Sequence, residues 1–141
     1  MKKYALLSTV ILFAGCTVID VKQVDSSHEI DHVCIEDNPK AIVADFVRIV
    51  EDAFHDHGIT TEVYSGNMLD NCVFKLTYTA LRSWDFSPYL SHAELRLFNG
   101  SERIGYAEYH LKGKGGLALN KWASVESKMT PVVNKLLAQY K

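Results

Sequence analysis

Apolar residues recur along the chain with a helical period in two segments, and these segments predict its two helices. The first begins at Asn38 and Pro39, which suit the N-cap and the first helical position, and it ends at Gly58. The second covers residues 122–140 and contains Pro131. Because the helical period continues beyond this proline, we predict one kinked helix there.

Strands are predicted where apolar residues alternate with polar ones or form short runs. They cover residues 32–35, 59–64, 72–81, 90–98 and 103–111. Asn99-Gly100 between the last two is a strong hairpin signal. The order β-α-β-β-β-β-α predicts an α+β fold in two layers, with one mixed, mostly antiparallel sheet and two helices on one of its faces.

The beginning of the chain follows a different pattern. Lys2 and Lys3 precede a short apolar run that ends at Cys16. A membrane-spanning helix needs about 20 apolar residues, so this run is typical of a signal peptide. The sequence Ala14-Gly15-Cys16 resembles the bacterial lipobox. That resemblance implies cleavage before Cys16 and lipidation of its new N-terminus.

This reading divides the chain into three parts. We predict a lipoprotein signal peptide in residues 1–15, a polar lipidated tether in residues 16–31 and a single α/β domain in residues 32–141. Val18, Ile19, Val21 and Val24 leave open a short strand within the tether. The formal net charge of −2 and the lack of a basic cluster argue against nucleic-acid binding.

With Cys16 lipidated, Cys34 and Cys72 remain. An even pair in an exported protein predicts a disulfide. It would close a loop of about 38 residues and stabilise the fold by about 4 kcal/mol in the chain-entropy model. The alternative is two buried free thiols.

Residues 82–89 are predicted to form a loop rich in aromatic residues. Trp84, Asp85, Phe86 and Tyr89 form a candidate surface for a partner or a ligand, because such rings are frequent in binding hot spots. The alternative is that the rings fold back as a lid over an open end of the sheet.

Two pairs of possible metal ligands lie on the last two strands. His92 and Glu94 share one face of their strand, and Glu108 and His110 share one face of the next.

An unbulged Asn99-Gly100 hairpin places the two pairs on opposite faces of the sheet. Ile104 and Tyr106 would then face the core beside Ala93, Leu95 and Leu97. One joint cluster would need a bulge. We therefore predict no metal site, no catalytic residue and no cofactor.

The element order and the export signal resemble small periplasmic accessory lipoproteins, such as penicillin-binding-protein activators and transporter auxiliary lipoproteins. The resemblance implies a non-enzymatic accessory or adaptor protein for an envelope partner. Thr17, in place of aspartate after Cys16, implies sorting to the outer membrane, at its periplasmic face. The alternative is a small-ligand-binding lipoprotein with a pocket between the aromatic loop and the glycine-rich segment 112–116.

Overall fold

The computed structural model describes residues 17–116 and 118–141. The predicted signal peptide and Cys16 lie outside these residues. In the part of the chain that is described, no helix is both long and apolar enough to cross a membrane.

Six strands and two α-helices form one mixed sheet with helices packed against it, which confirms the predicted α+β class. The strands are β1 (Thr17–Lys22), β2 (His32–Glu36), β3 (Thr60–Tyr64), β4 (Phe74–Asp85), β5 (Ser87–Asn99) and β6 (Glu102–Leu111). The helices are α1 (Phe46–Asp56) and α2 (Val125–Leu136), with short 3₁₀ helices at Ser26–His28, Lys112–Gly115 and Leu119–Trp122. The sheet order is β1-β6-β5-β4-β2-β3, antiparallel from β1 to β4 and parallel among β4, β2 and β3.

The segment predicted as a tether belongs to the fold. Strand β1 pairs with β6 along its whole length, from Thr17 opposite Leu111 to Lys22 opposite Tyr106. Downstream of β1, Val24 is fully buried, and its backbone N–H donates to the carbonyl of Leu136 in α2 at 3.0 Å. The alternative of a short strand within the predicted tether is therefore confirmed, and the tether prediction is wrong for Thr17–Lys22 because this segment pairs with β6.

Helix α1 ends as predicted but begins later. Gly58 follows its end with a φ of +73° and donates its N–H to the carbonyl of His55 at 2.8 Å. Asn38 does not cap the helix. Its side-chain amide donates to the carbonyl of Tyr78 at 2.9 Å, and its backbone N–H donates to the Tyr78 hydroxyl at 3.1 Å. These bonds tie the segment before α1 to β4, so the helix starts only at Phe46.

The core fills the space between the sheet and both helices, which lie on one face as predicted. Helix α2 continues through Pro131, and the Ser124 side chain caps it by accepting from the Ser127 N–H at 3.1 Å. Gly105 on β6 allows the close approach. A Cβ there would lie 2.5 Å from Val24 and 3.1 Å from Leu136.

The predicted disulfide between Cys34 and Cys72 is confirmed, with Cα atoms 5.8 Å apart. Val33 and Ile35 point into the main core, so the intervening Cys34 faces the opposite side of the sheet. There it packs with Cys72 and Tyr64 in a second, smaller apolar cluster. The crosslink therefore fixes the chain before β4 to β2.

Candidate functional site

The predicted aromatic loop is instead the tip of a long hairpin. Strands β4 and β5 remain paired to the end, where Asp85 lies opposite Ser87 and Phe86 alone forms the turn. Phe86 has a φ of +59°, a left-handed conformation that a bulky residue rarely adopts. The loop prediction fails because this turn uses neither glycine nor asparagine.

The hairpin tip divides the four predicted surface residues into two groups. Trp84 is 74% exposed and Phe86 is 90% exposed, whereas Tyr89 is buried. The Tyr89 hydroxyl donates to the carbonyl of Lys114 at 2.7 Å, which joins the tip to the glycine-rich segment. The Asp85 carboxylate faces the body of the protein, where it accepts a hydrogen bond from Lys121. The surface interpretation fits the two outer rings, and the lid interpretation fits Tyr89.

A buried lysine holds the tip in place. Lys121 is 4% exposed. Its ammonium group donates to the carboxylate of Asp85 and, at 2.8 Å, to the carbonyl of Gly116. It also lies 4.4 Å from the centroid of the Trp122 ring, within the range of cation–π attraction.

Trp122 belongs to this tip rather than to the core. The sequence pattern placed it on the last helix, but it lies in the preceding 3₁₀ helix and is 39% exposed. Its Nε1–H donates to the carbonyl of Asp85 at 2.8 Å, and its ring lies 6.4 Å from that of Phe86. Leu119 of the same 3₁₀ helix is also exposed. We call Trp84, Phe86, Leu119 and Trp122 the tip patch.

A second buried lysine, Lys128, contacts the backbone of Lys121. The Lys128 side chain is buried and donates to the carbonyls of Leu90, at 3.0 Å, and of Lys121. Its ammonium group lies 5.7 Å from the Tyr89 ring and 5.8 Å from the Tyr109 ring. Burial disfavours the charged form and lowers the pKa of Lys128 to about 8.

The face of the sheet away from the helices carries the histidine and glutamate pairs. The pairing of β5 with β6 shifts by one residue at Leu97 and Phe98. Such a bulge moves every following side chain to the other face. His92 therefore lies opposite His110, and Glu94 lies opposite Glu108.

The bulge corrects two predictions. Ile104 is buried as expected, but Tyr106 lies on the open face and donates its hydroxyl to Glu108 Oε2 at 2.9 Å. The core positions of β6 are Gly105, Ala107, Tyr109 and Leu111. The predicted separation of the two histidine–glutamate pairs is also wrong, and with it the geometric reason for expecting no metal site.

The resulting polar cluster is compact. The Nδ1 atoms of His92 and His110 lie 3.2 Å apart, and the other ring nitrogen of His92 lies 3.0 Å from Glu94 Oε1. Glu108 Oε1 lies 3.7 Å from His92 Nδ1. Arg96 forms an ion pair with Glu94. We call His92, Glu94, Glu108 and His110 the histidine cluster.

A groove of about 650 Å³ extends from the histidine cluster to the base of the tip. Its lining residues are Leu81, Arg82, Ser83, Ser91, His92, His110, Leu111, Gly113 and Lys114. Arg82 and Lys114 add positive charge to this lining, which also contains the two imidazoles.

No family model and no curated protein matches the chain. Among solved structures, the chain is similar to a PelC dodecamer from Paraburkholderia phytofirmans, with a TM-score of 0.58 and 11% identity, over 85% of this chain and 94% of that one. A single-residue variant of the same PelC dodecamer gives a TM-score of 0.52 and 10% identity, over 82% of this chain and 96% of that one. At these identities the similarity shows a shared fold.

Proposed function

We propose that this protein is a lipid-anchored accessory protein of the bacterial envelope, without enzymatic activity, that binds another envelope protein through the tip patch. The observation that carries the proposal is the exposure of Trp84 and Phe86 on a hairpin tip fixed by buried Lys121. Exposed aromatic rings on a rigid support are typical of binding hot spots, since little conformational entropy is lost when they are covered.

Folding alone gives no reason for Phe86. Its side chain is 90% exposed, so it gains little from burial, and its left-handed backbone costs about 1 kcal/mol or more. A glycine or an asparagine would make the same turn with less strain. An aromatic residue at this position is therefore better explained by a contact outside the chain.

The position of the predicted anchor supports the same role. Strand β1 begins at Thr17, directly after Cys16, so no flexible linker separates a lipid on Cys16 from the sheet. Thr17 lies opposite Leu111, at the same end of the sheet as the hairpin tip. At about 3.3 Å per residue, the tip extends about 16 Å beyond this point. The tip patch would then face the outer membrane and the membrane-embedded part of a partner.

The similarity to PelC supports an assembled state. Both solved structures are dodecamers, so we propose that this protein also works as an oligomer in which each copy presents its own tip patch. Repeated copies would strengthen the binding of a partner that itself has several contact sites.

Photo-crosslinking in native cells tests this proposal. A photoreactive phenylalanine analogue at Phe86 should form a discrete protein adduct. The same analogue at Ile42, which is 59% exposed and lies in the segment between β2 and α1, should not. Trp84→Ala in the Phe86-labelled protein should weaken the adduct strongly, because truncating a hot spot costs about 2 kcal/mol or more of binding free energy.

The anchor is tested in the same cells. Cys16→Ser should abolish labelling by a clickable palmitate analogue and should also abolish the adduct at Phe86. Adducts to lipid alone, or the same protein adducts from Phe86 and Ile42, would contradict the adaptor role. Palmitate labelling that survives Cys16→Ser would contradict the lipid anchor.

A second candidate function is the binding of a small ligand. The groove beside the glycine-rich segment favours it, because Arg82, Lys114, His92 and His110 all line it. These groups suit a small anionic molecule. Its binding would protect this end of the sheet from hydrogen exchange, with no change at the tip patch.

A further inference from the structure

We propose that His92, His110 and Glu108 form a transition-metal site of the Zn²⁺ type on the open face of the sheet. The proposal does not depend on the adaptor role. The three side chains come from adjacent strands, and their candidate ligand atoms all lie within 4.8 Å of one another. Imidazole nitrogens and a carboxylate oxygen are the ligands of many zinc sites with three protein ligands.

The spacing of the ligand atoms fits a tetrahedral ion. Zinc binds imidazole nitrogen and carboxylate oxygen at about 2.0–2.2 Å, so two ligands on a tetrahedral centre lie about 3.3 Å apart. His92 Nδ1 lies 3.2 Å from His110 Nδ1 and 3.7 Å from Glu108 Oε1. Small rotations of these side chains would therefore bring all three atoms to bonding distance.

The outer contacts are those that metal-bound histidine and carboxylate usually have. The second ring nitrogen of His92 lies 3.0 Å from Glu94 Oε1, and Glu94 is in turn paired with Arg96. A carboxylate in this position fixes the tautomer that leaves Nδ1 free to bind a metal. Tyr106 donates to Glu108 Oε2 at 2.9 Å, which leaves Oε1 facing the histidines.

The fourth coordination position is open. His92 and His110 line the same groove as Arg82 and Lys114. A site with three protein ligands and one free position binds water or a donor atom from a ligand. The cationic groove would attract an oxygen donor of negative charge, so a carboxylate or a phosphate is the class of molecule that this site would bind.

The chain also contains a matched pair that lacks this arrangement. His32 lies 3.8 Å from Glu62 on neighbouring strands. Cys34 is the third candidate ligand of that group, but its sulfur is bonded to Cys72. Two ligands alone make a weak site, so His32 serves as a control for non-specific binding to a histidine–glutamate pair.

Calorimetric titration of ZnCl₂ into the untagged full-length protein, in detergent after removal of metals, tests the proposal. We expect one equivalent to bind. His92→Ala and His110→Ala should each weaken binding by about 100-fold, and the positioning variant Glu94→Gln by about 10-fold. His32→Ala should leave the affinity unchanged. Circular dichroism with chelator present checks that each variant is folded.

Substitution with Co²⁺ gives a second readout. A four-coordinate Co²⁺ site absorbs visible light strongly, and this band should disappear in His92→Ala and persist in His32→Ala. The proposal is overturned if the wild type binds no Zn²⁺ up to about 1 mM. It is also overturned if His92→Ala, His110→Ala and Glu94→Gln bind Zn²⁺ as tightly as the wild type and the His32→Ala control. In either case the two imidazoles form an ordinary hydrogen bond.

Discussion

The lysines beneath the hairpin tip and the histidines on the open face are two groups of polar side chains that differ in burial and in the kind of partner they have. Lys121 and Lys128 are almost fully buried, and their ammonium groups donate to backbone carbonyls and to one carboxylate. His92 is about one-fifth exposed, and its ring faces His110 across two strands.

The difference separates a structural role from a binding role. The buried lysines point at fixed acceptors inside the protein, so they hold the tip in one geometry. Neutral imidazoles each keep one nitrogen lone pair, and those of His92 and His110 can converge on a single point beside Glu108. We therefore assign to the lysines the structural role of fixing the hairpin tip, and we propose ion binding for the histidine cluster.

The largest effect that we expect from a single substitution distinguishes the structural role of the lysines from the binding role of the histidines. Lys121→Met removes the donors to Asp85 and Gly116. It should lower the free energy of unfolding by about 2 kcal/mol, a value limited by the partial exposure of Asp85 to water. His92→Ala should cost less than about 1 kcal/mol in the presence of chelator, because water can reach the groups that it leaves.

Urea denaturation of both variants measures the difference. Lys135→Met is the matched control, since Lys135 lies on α2 with an exposed side chain. It should unfold with the wild type. If His92→Ala proves as destabilising as Lys121→Met, the histidine cluster is structural and the comparison fails.

Lys128 should make the free energy of unfolding depend on pH, and the sign of this dependence follows from its pKa. Burial lowers the pKa of Lys128 from 10.5 to about 8 in the folded protein. Between these values the unfolded chain binds one more proton, so the free energy of unfolding should rise with pH by at most about 1.4 kcal/mol per unit. Below pH 8 this group is protonated in both states, and its contribution is constant.

Urea melts from pH 7 to just below pH 10 measure this slope. They should stop there, because burial raises the pKa of Tyr109 from 10.0 to about 12, which makes stability fall with pH above that range. Lys128→Met should remove the rise, whereas Lys135→Met should keep it. An equal slope in the Lys128→Met protein would show that this ammonium group is hydrated.

Much of the fold follows from patterns that the sequence displays openly. Alternation predicts the central strands, the helical period predicts both helices, and an even cysteine pair predicts the disulfide between Cys34 and Cys72. Each of these signals is local, or depends only on the compartment. The start of α1 was mispredicted because Asn38 bonds to Tyr78, a residue forty positions away.

The candidate sites depend on features that local patterns do not encode. One bulge at Leu97 and Phe98 brings His92 and His110 together, and an unbulged hairpin gives the opposite answer for every residue beyond it. Trp122 has helical spacing, yet its indole N–H bonds to the hairpin tip instead. The sequence signal for the histidine cluster was the His-x-Glu spacing on β5 and the Glu-x-His spacing on β6. This signal predicts the cluster only when the bulged register of the hairpin is considered beside the unbulged one.

The smallest expected effect concerns the turn that the lysines brace. Phe86 has a φ of +59°, which asparagine adopts at less cost than phenylalanine. Phe86→Asn should relieve about 1 kcal/mol of strain and lose about 0.5 kcal/mol from the ring contact with Trp122. A net gain of about 0.5 kcal/mol follows. Phe86→Ala loses the same ring but keeps the strain, so in urea melts it should be less stable than Phe86→Asn by about 1 kcal/mol. Equal stability of the two variants would show that the turn is unstrained. A loss of more than about 1 kcal/mol in both would make the ring a structural lid, and the tip patch would lose its main support as a partner surface.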